Sequence, residues 1–422
     1  MNNTLSTDVP TPDTRQLSQV IFEYAGRVGR EQNREALIET IANMGRDLVG
    51  ADRCTVWLVD EATRTLRARF AHGPGVIPIG ANQGFVGHCV ATGTVTLSNA
   101  PADDPRFASI VDQHTGYRTT SVLTVPMRTS EGTIIGAFQA VNKPGGFADA
   151  DADLLGLAAV YSAHTLETQA LLQKAEAARR VERELDIARD VQQRLLAGSH
   201  ARKISGVDFD AVCRPALKVG GDFYDVMPLP SNRMAIAFGD ISGKGVAAAL
   251  MMATLQATLH GLVLRGVARP SAIVAGLNET LIEASVGHYS TLFFALYDFN
   301  TRRLTAVNAG HCAPLIVGAH GTVREIESSG PPVGLLPHAV YEQQDVVLAP
   351  GETLVCYSDG LSEAQNGEGA FWSERGMQHA LRAAAAVRSG DAVARVMQEA
   401  DRFVAGAPQS DDMTILCLLV TH

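Results

Sequence analysis

Four acidic stretches carry the residue types with which this 422-residue chain could do chemistry. They are Gly-Gly-Asp-Phe-Tyr-Asp at 220–225, Gly-Asp-Ile-Ser-Gly-Lys-Gly at 239–245, Tyr-Ser-Asp-Gly at 357–360 and Ser-Asp-Asp-Met at 410–413. In each, an Asp stands at the edge of an apolar run that reads as a strand. Carboxylates at strand ends suit hard divalent cations, because Mg²⁺ and Mn²⁺ take oxygen donors and keep several waters. Gathered in space, these acids would make a centre for metal-assisted hydrolysis. Kept apart they are turn residues, since Asp-Gly and Asp-Asp are turn signals when they stand alone.

The first two stretches form a hairpin by count. The strand through Phe223–Leu229 turns at Pro230-Ser231-Asn232 and returns as Met234–Gly239, a run apolar on both faces and therefore buried. Asp222 and Asp240 lie nine residues to either side of Ser231. An in-register hairpin sets them opposite each other, with Cβ atoms roughly 5 Å apart. Two bare carboxylates that close repel, and one takes up a proton unless a cation stands between them. Asp359 follows the strand Thr353–Tyr357, and Asp411 and Asp412 precede Met413–Val420. Four carboxylates can hold two divalent cations about 4 Å apart, with waters completing the shells. Which of Asp411 and Asp412 points inward stays open. The run at 239–245 is not a phosphate loop, because Phe238 and Gly245 stand where that motif needs Gly and Ser or Thr.

The elements that must position these acids fall in the second half of a two-domain α+β chain. Helices are expected at 246–264, 270–286, about 374–387 and 390–405. The run Val246–Leu264 mimics a membrane span, but Gln256, His260 and two threonines interrupt it, so a buried helix is expected. Residues 1–14 read as a polar, disordered tail without signal-peptide features. Residues 15–165 carry a helix through Leu37, Ile38, Ile41, Met44 and Leu48. Strand-like runs follow at Cys54–Val59, Thr65–Phe70, Val95–Leu97, Ser121–Val125 and Thr133–Val141, and a second helix starts near Asp149–Asp151. Residues 166–199 lack Pro and carry Ala178, Val181, Leu185, Ala188, Gln192 and Leu195 at coiled-coil spacing, with Gly198 expected to end the helix. The stripe is thin, so a homodimer would need support from both domains. Residues 200–422 form the second domain.

Composition narrows the class. With 46% hydrophobic and 19% charged residues the chain is a globular protein, and a net charge of −10 leaves no basic stripe for nucleic acid. Six scattered cysteines with no Cys-x-x-Cys pair argue against a disulfide framework or zinc cluster and for a reducing, cytoplasmic setting. His88-Cys89 reads as packing rather than a redox or haem site.

Residues 15–165 resemble a GAF domain, a small-ligand sensor with an antiparallel sheet flanked by helices. Asn142-Lys143 followed by Phe147 and Asp151 is similar to the signature of cyclic-nucleotide-binding members, with Ala152 where that signature carries Glu. The resemblance implies a cyclic nucleotide or other small ligand, with Lys143 and Asp151 bracing the pocket.

Residues 200–422 resemble the metal-dependent protein phosphatases, in the bacterial branch typified by the sporulation stage II protein E phosphatase. Asn308-Ala309-Gly310-His311 with Pro314, and Tyr357-Ser358-Asp359-Gly360-Leu361 with Glu363, add to the four acidic motifs. The resemblance implies an α-β-β-α sandwich and a phosphoserine/phosphothreonine phosphatase with two Mn²⁺ or Mg²⁺ ions. It implies catalytic and metal roles for Asp222 and for a bridging Asp240, with the Ile241 carbonyl, Asp359 and Asp411 or Asp412 completing the ligands. Its expected substrate is a phosphorylated regulatory protein, an anti-sigma-factor antagonist. Ser242 stands where the eukaryotic branch has a proton-donating His, and Lys218 is the candidate phosphate-binding cation. Two rival readings are a silent phosphatase fold that sequesters a partner and a two-metal phosphodiesterase.

Overall fold

The computed structural model describes residues 22–421 apart from 25, 29–30, 32, 61–62, 64, 71–77, 81–82, 109–111, 113–115, 201–203, 267–268, 285–286, 319 and 384–387. The tail expected at 1–14 lies outside the described residues. Two compact units divide the chain, Met1–Ala178 and Arg179–His422.

In the first unit, α1 (Arg34–Val49) starts at Asn33, whose side chain accepts from Glu35 N and Ala36 N, and stops at left-handed Gly50. Its face of Leu37, Ile41, Met44 and Leu48 is buried against the sheet. The strands are β1 (Arg53–Asp60), β2 (Thr65–Phe70), β3 (Pro78–Gly80), β4 (Thr96–Ser98), β5 (Val122–Arg128) and β6 (Ile134–Val141). They make one antiparallel sheet in the order β3-β2-β1-β6-β5-β4. The strand β3 and a helix, α2 (Gly84–Thr92), were not expected. Both are short, and short runs carry little periodicity. Cys89 sits on α2 in an apolar cluster with Trp57, Leu66 and Val86, and burial pushes its thiol up to about 12, so it packs.

The helix α3 (Asp149–His200) runs through both units as one element. It does not end at Gly198. One glycine costs a helix only about 1 kcal/mol, too little to break one of this length. Leu155, Ala159, Ala163 and Leu166 bury its early turns in the first unit's core, and Leu196 joins the second unit's core. Of the expected a/d seam, Gln192 is buried within the second unit, whereas Val181 and Leu195 are 56% and 42% exposed and Ala178 and Ala188 are exposed too. At the start of α3, Asp151 Oδ1 pairs with Lys143 Nζ at 2.6 Å, and Oδ2 reaches back to Ala148 N at 2.9 Å.

The second unit stacks two five-stranded sheets between helical layers. Its strands are β7 (Val207–Arg214), β8 (Phe223–Leu229), β9 (Arg233–Ile241), β10 (Ser290–Asp298), β11 (Arg303–Ala309), β12 (Leu315–Val317), β13 (Val323–Glu325), β14 (Gln344–Val347), β15 (Thr353–Tyr357) and β16 (Met413–Val420). One sheet has the order β14-β11-β10-β9-β8 and the other β13-β12-β15-β16-β7. The helices are α4 (Val246–Leu264), α5 (Pro270–Ala284), the single turn α6 (Asp359–Ser362), α7 (Ser373–Ala383) and α8 (Ser389–Val404). Strand alternation builds the layers. Leu354, Cys356, Leu416 and Leu418 join the core that also holds α4 and α5 residues, while Val355, Tyr357, Ile415 and Cys417 pack with α7 and α8. Among the described residues α4 alone is long and apolar enough to pass for a membrane span. It buries one face, Ala248, Met252, Leu255, Leu259 and Val263, and not the whole circumference, since Leu264 is 83% exposed.

The Lys143–Asp151 pair gives a first prediction. Asp151→Ala leaves a lysine and a helix-start N–H without their acceptor, at a cost of about 1–3 kcal/mol. Urea unfolding of the first unit should show that loss, and an unchanged midpoint would contradict it.

Candidate metal centre

The β8–β9 ladder runs from Leu229↔Arg233 to Phe223↔Gly239, closed by a turn with left-handed Ser231 and Asn232. Asp222 and Asp240 stand one step beyond its last pair, side by side at the open end. Gly239 permits the close packing there, since a Cβ would meet the Phe223 ring at 2.6 Å and the Thr291 carbonyl at 2.7 Å. In the other sheet, the β15–β16 ladder is extended by Ser358 N to Thr414 O at 3.0 Å. A Cβ on Gly360 would come within 2.2 Å of the Asp412 carbonyl. Only glycine lets this end close, and closing it brings Asp359 beside Asp411.

Asp411 and Asp412 are sorted by their partners. Asp412 is buried; its Oδ1 accepts from Ala216 N and its Oδ2 from Gly221 N, both at 2.8 Å. A Cβ on Gly220 would lie 2.0 Å from Asp412 Oδ2. Its carboxylate is thus spent on holding the 216–221 backbone. The Asp411 side chain, 40% exposed, lies 3.0 Å from Lys244 Nζ and contributes charge to Asp359 and Asp240.

Asp222 is 1% exposed, and among the described residues neither carboxylate oxygen accepts an ordinary hydrogen bond, although the Thr414 and Ser358 hydroxyls lie near enough to offset part of the rise in its pKa. The nearby Ser358 hydroxyl spends its proton on the Asp412 carbonyl at 3.0 Å. Burial and then the Asp240 charge hold the Asp222 carboxyl well above the usual range. Asp240 is pushed up to about 7 by burial, then by Asp359 and Asp411. Burial, Asp411 and Glu363 raise Asp359. The Ile241 carbonyl lies against Gly221, where a Cβ would be 2.8 Å away.

These residues suit a hard cation. The donors are all oxygen, and a buried carboxylate with two unmatched oxygens costs stability until something positive meets it. Among the described residues no three Asp, Glu, His or Cys side chains are drawn in as tightly as the ligands of one ion.

Other expectations land elsewhere. Lys218 pairs with Asp186 at 2.6 Å and Glu182 at 3.7 Å on α3, away from the acids. Asp225 is buried against His260 on α4. His311 closes a turn, its backbone N–H donating to Asn308 Oδ1 at 2.9 Å, and its ring Nδ1 lies 2.8 Å from Thr291 Oγ1. Two residues escaped the sequence reading. Lys244 is the cation beside Asp411, signalled only by its place in Gly-Lys-Gly. Gln192 exchanges two hydrogen bonds with the Gly220 backbone, at 2.7 and 3.2 Å. Its signal was a polar residue in an apolar stripe.

Raised carboxyl pKa values mean that the folded unit keeps protons the unfolded chain releases. The stability these acids contribute is therefore full below the unfolded carboxylate range and is lost as pH climbs toward about 7. In chelator, the melting temperature of the second unit should carry this decline, and Asp222→Asn should flatten it. Added Mn²⁺ should raise the melting temperature more at about pH 7 than at about pH 5. Equal Mn²⁺ shifts at both pH values would contradict this electrostatic picture.

Residues 230–421 match the stage II sporulation protein E (SpoIIE) family, and residues 33–166 match the GAF domain. Asp240, Asp359, Asp411 and Asp412 lie inside the first match, with Asp222 just ahead of it. Protein IcfG of Synechocystis sp. is 26% identical over 294 residues, 63% of this chain and 45% of IcfG. The phosphoserine phosphatase RsbU of Bacillus subtilis is 30% identical over 193 residues, 45% of this chain and 56% of RsbU. The chain thus spans about half the length of these curated relatives. Among solved structures, the SiaA-PP2C domain of Pseudomonas aeruginosa shares the fold, with a TM-score of 0.53 at 23% identity over 58% of this chain and 99% of that one. The acid-ended sandwich thus lies in the stretch similar to the SpoIIE family, and the antiparallel sheet of the first unit in the stretch similar to the GAF domain.

Proposed function

We propose that the second unit is a Mn²⁺- or Mg²⁺-dependent serine/threonine protein phosphatase. The observation that carries this reading is the gathering of Asp222, Asp240, Asp359 and Asp411 at one end of the sandwich, with the Asp222, Asp240 and Asp359 carboxyls raised and no ordinary hydrogen bond to Asp222 among the described residues. Asp222, Asp240, the Ile241 carbonyl, Asp359 and Asp411 are the residues that would hold two such ions. When bound, such ions polarise phosphoryl oxygens and make water acidic enough to react near neutral pH. Asp412 keeps the Gly220-Gly221 backbone in place, and Lys244 supplies positive charge beside Asp411 for a phosphoryl oxygen. The names of RsbU and of RsbP, also from Bacillus subtilis, as phosphoserine phosphatases support phosphoserine as the group hydrolysed. A phosphorylated regulatory protein as its carrier, within the cytoplasm, is the reading that the family resemblance and the unpaired cysteines add. The family resemblance narrows that substrate to an anti-sigma-factor antagonist.

The first unit is the sensor in this reading. The Lys143–Asp151 pair fits the GAF resemblance, which implies a cyclic nucleotide or another small ligand. Control passes along α3, because Gln192 is hydrogen-bonded to the backbone two residues before Asp222. A homodimer formed with help from both domains is part of the same proposal.

Asp240→Asn should lower Mn²⁺-dependent phosphate release from a phosphoprotein by on the order of 10²-fold or more. Activity that survives both chelation and this substitution would falsify the metal assignment. Gln192→Ala should change basal turnover while leaving the fold intact by circular dichroism. Turnover identical to wild type would remove α3 from the control route.

A further inference from the structure

The proposed reaction expels the side-chain oxygen of a serine or threonine, which leaves poorly unless it receives a proton. Most groups around Asp240 are poor sources. Ser242 is a weak acid whose hydroxyl oxygen already accepts from Tyr289 N at 3.0 Å. Lys244 is held by Asp411 and the Ser410 carbonyl. Burial pushes the Cys312 thiol up to about 12, so it grips its proton. Burial also pushes the His311 imidazole down to about 4, so that ring is neutral at physiological pH.

His288 is placed differently. It lies between α5 and β10, and its Nδ1 is 2.8 Å from the Ser242 carbonyl. A carbonyl only accepts, so Nδ1 carries the hydrogen and Nε2 is the nitrogen left for proton exchange. The contact is built in from both sides. Ser242 N donates to the Tyr289 carbonyl at 2.8 Å, and Ile241 is the ladder partner of Ser290. Left-handed Gly243 lies under the ring, where a Cβ would come 3.3 Å from His288 Cε1. The imidazole is half-buried, docks two residues past Asp240, and among the described residues its Nε2 has no partner.

We propose that His288 is the general acid of the reaction, its Nε2–H protonating the departing seryl or threonyl oxygen. This rests on the phosphatase reading above. The oxygen of a water bonds to phosphorus, and the bond from phosphorus to the substrate's side-chain oxygen breaks, its electron pair leaving with that oxygen. The imidazolium form is the acid: with Nδ1–H kept on the Ser242 carbonyl, Nε2 passes its proton to that oxygen, the bonding pair stays on nitrogen and the ring ends neutral. The proton shed by the water passes to solvent, and solvent reprotonates Nε2.

The test compares leaving groups in the full-length protein with Mn²⁺. In His288→Asn the amide can still donate to the Ser242 carbonyl but cannot give up a proton. A phosphoserine peptide needs that proton, whereas 4-nitrophenyl phosphate releases a stable anion that does not. The ratio of kcat/KM on the peptide to kcat/KM on the nitrophenyl ester should fall about 100-fold. His288→Gln, which also lacks the acid, should show the same fall. An unchanged ratio in folded variants, whether both substrates slow together or neither does, overturns the proposal. Wild-type protein that hydrolyses neither ester with Mn²⁺ removes the phosphatase reading itself, before any variant is made.

Discussion

Repulsion among buried carboxylates is the constraint on which the second unit is organised. Two unit charges about 4 Å apart near a protein surface interact by roughly 4 kcal/mol, a large share of the 5–15 kcal/mol that holds a typical domain together. Asp222, Asp240, Asp359 and Asp411 nevertheless meet at strand ends, where burial strengthens the repulsion felt by the first three. Protonation relieves it in the bare protein, and a divalent cation relieves it better. The structural cost and the chemical use are one arrangement.

Holding the acids there falls to residues that take no charge from a metal. Gly239, Gly220 and Gly360 give up side chains so that strand ends can close on Phe223 and on Asp412. Asp412 spends its carboxylate on two backbone N–H groups, which pins the loop ahead of Asp222. Gln192 grips that loop from α3. A movement of α3 would therefore reach the proposed metal ligands through one amide and one loop, a short physical route for a signal.

Much of this was legible in the sequence, for identifiable reasons. The Asp222–Asp240 juxtaposition follows from a tight turn and the two-residue strand period, and the observed register keeps that count. Strands at Phe223–Leu229, Thr353–Tyr357 and Met413–Val420 and the helix Val246–Leu264 stood out because each is a long apolar run with clear stops. The choice between Asp411 and Asp412 was not legible. Adjacent residues point opposite ways, and the Ala216 and Gly221 N–H groups that capture Asp412 lie almost two hundred residues away. His288 was hidden for a similar reason, since only a ladder with β9 brings its loop to Ser242. The end of α3 was misread because a local glycine signal lost to a long helix packed at both ends.

The most direct measurement is anomalous diffraction from Mn²⁺-soaked crystals. Two peaks are expected between Asp222, Asp240, Asp359 and Asp411, with the Asp412 carboxylate still on the Ala216 and Gly221 N–H groups. A single site elsewhere, or density showing Asp412 as the ligand in place of Asp411, would contradict the assignment.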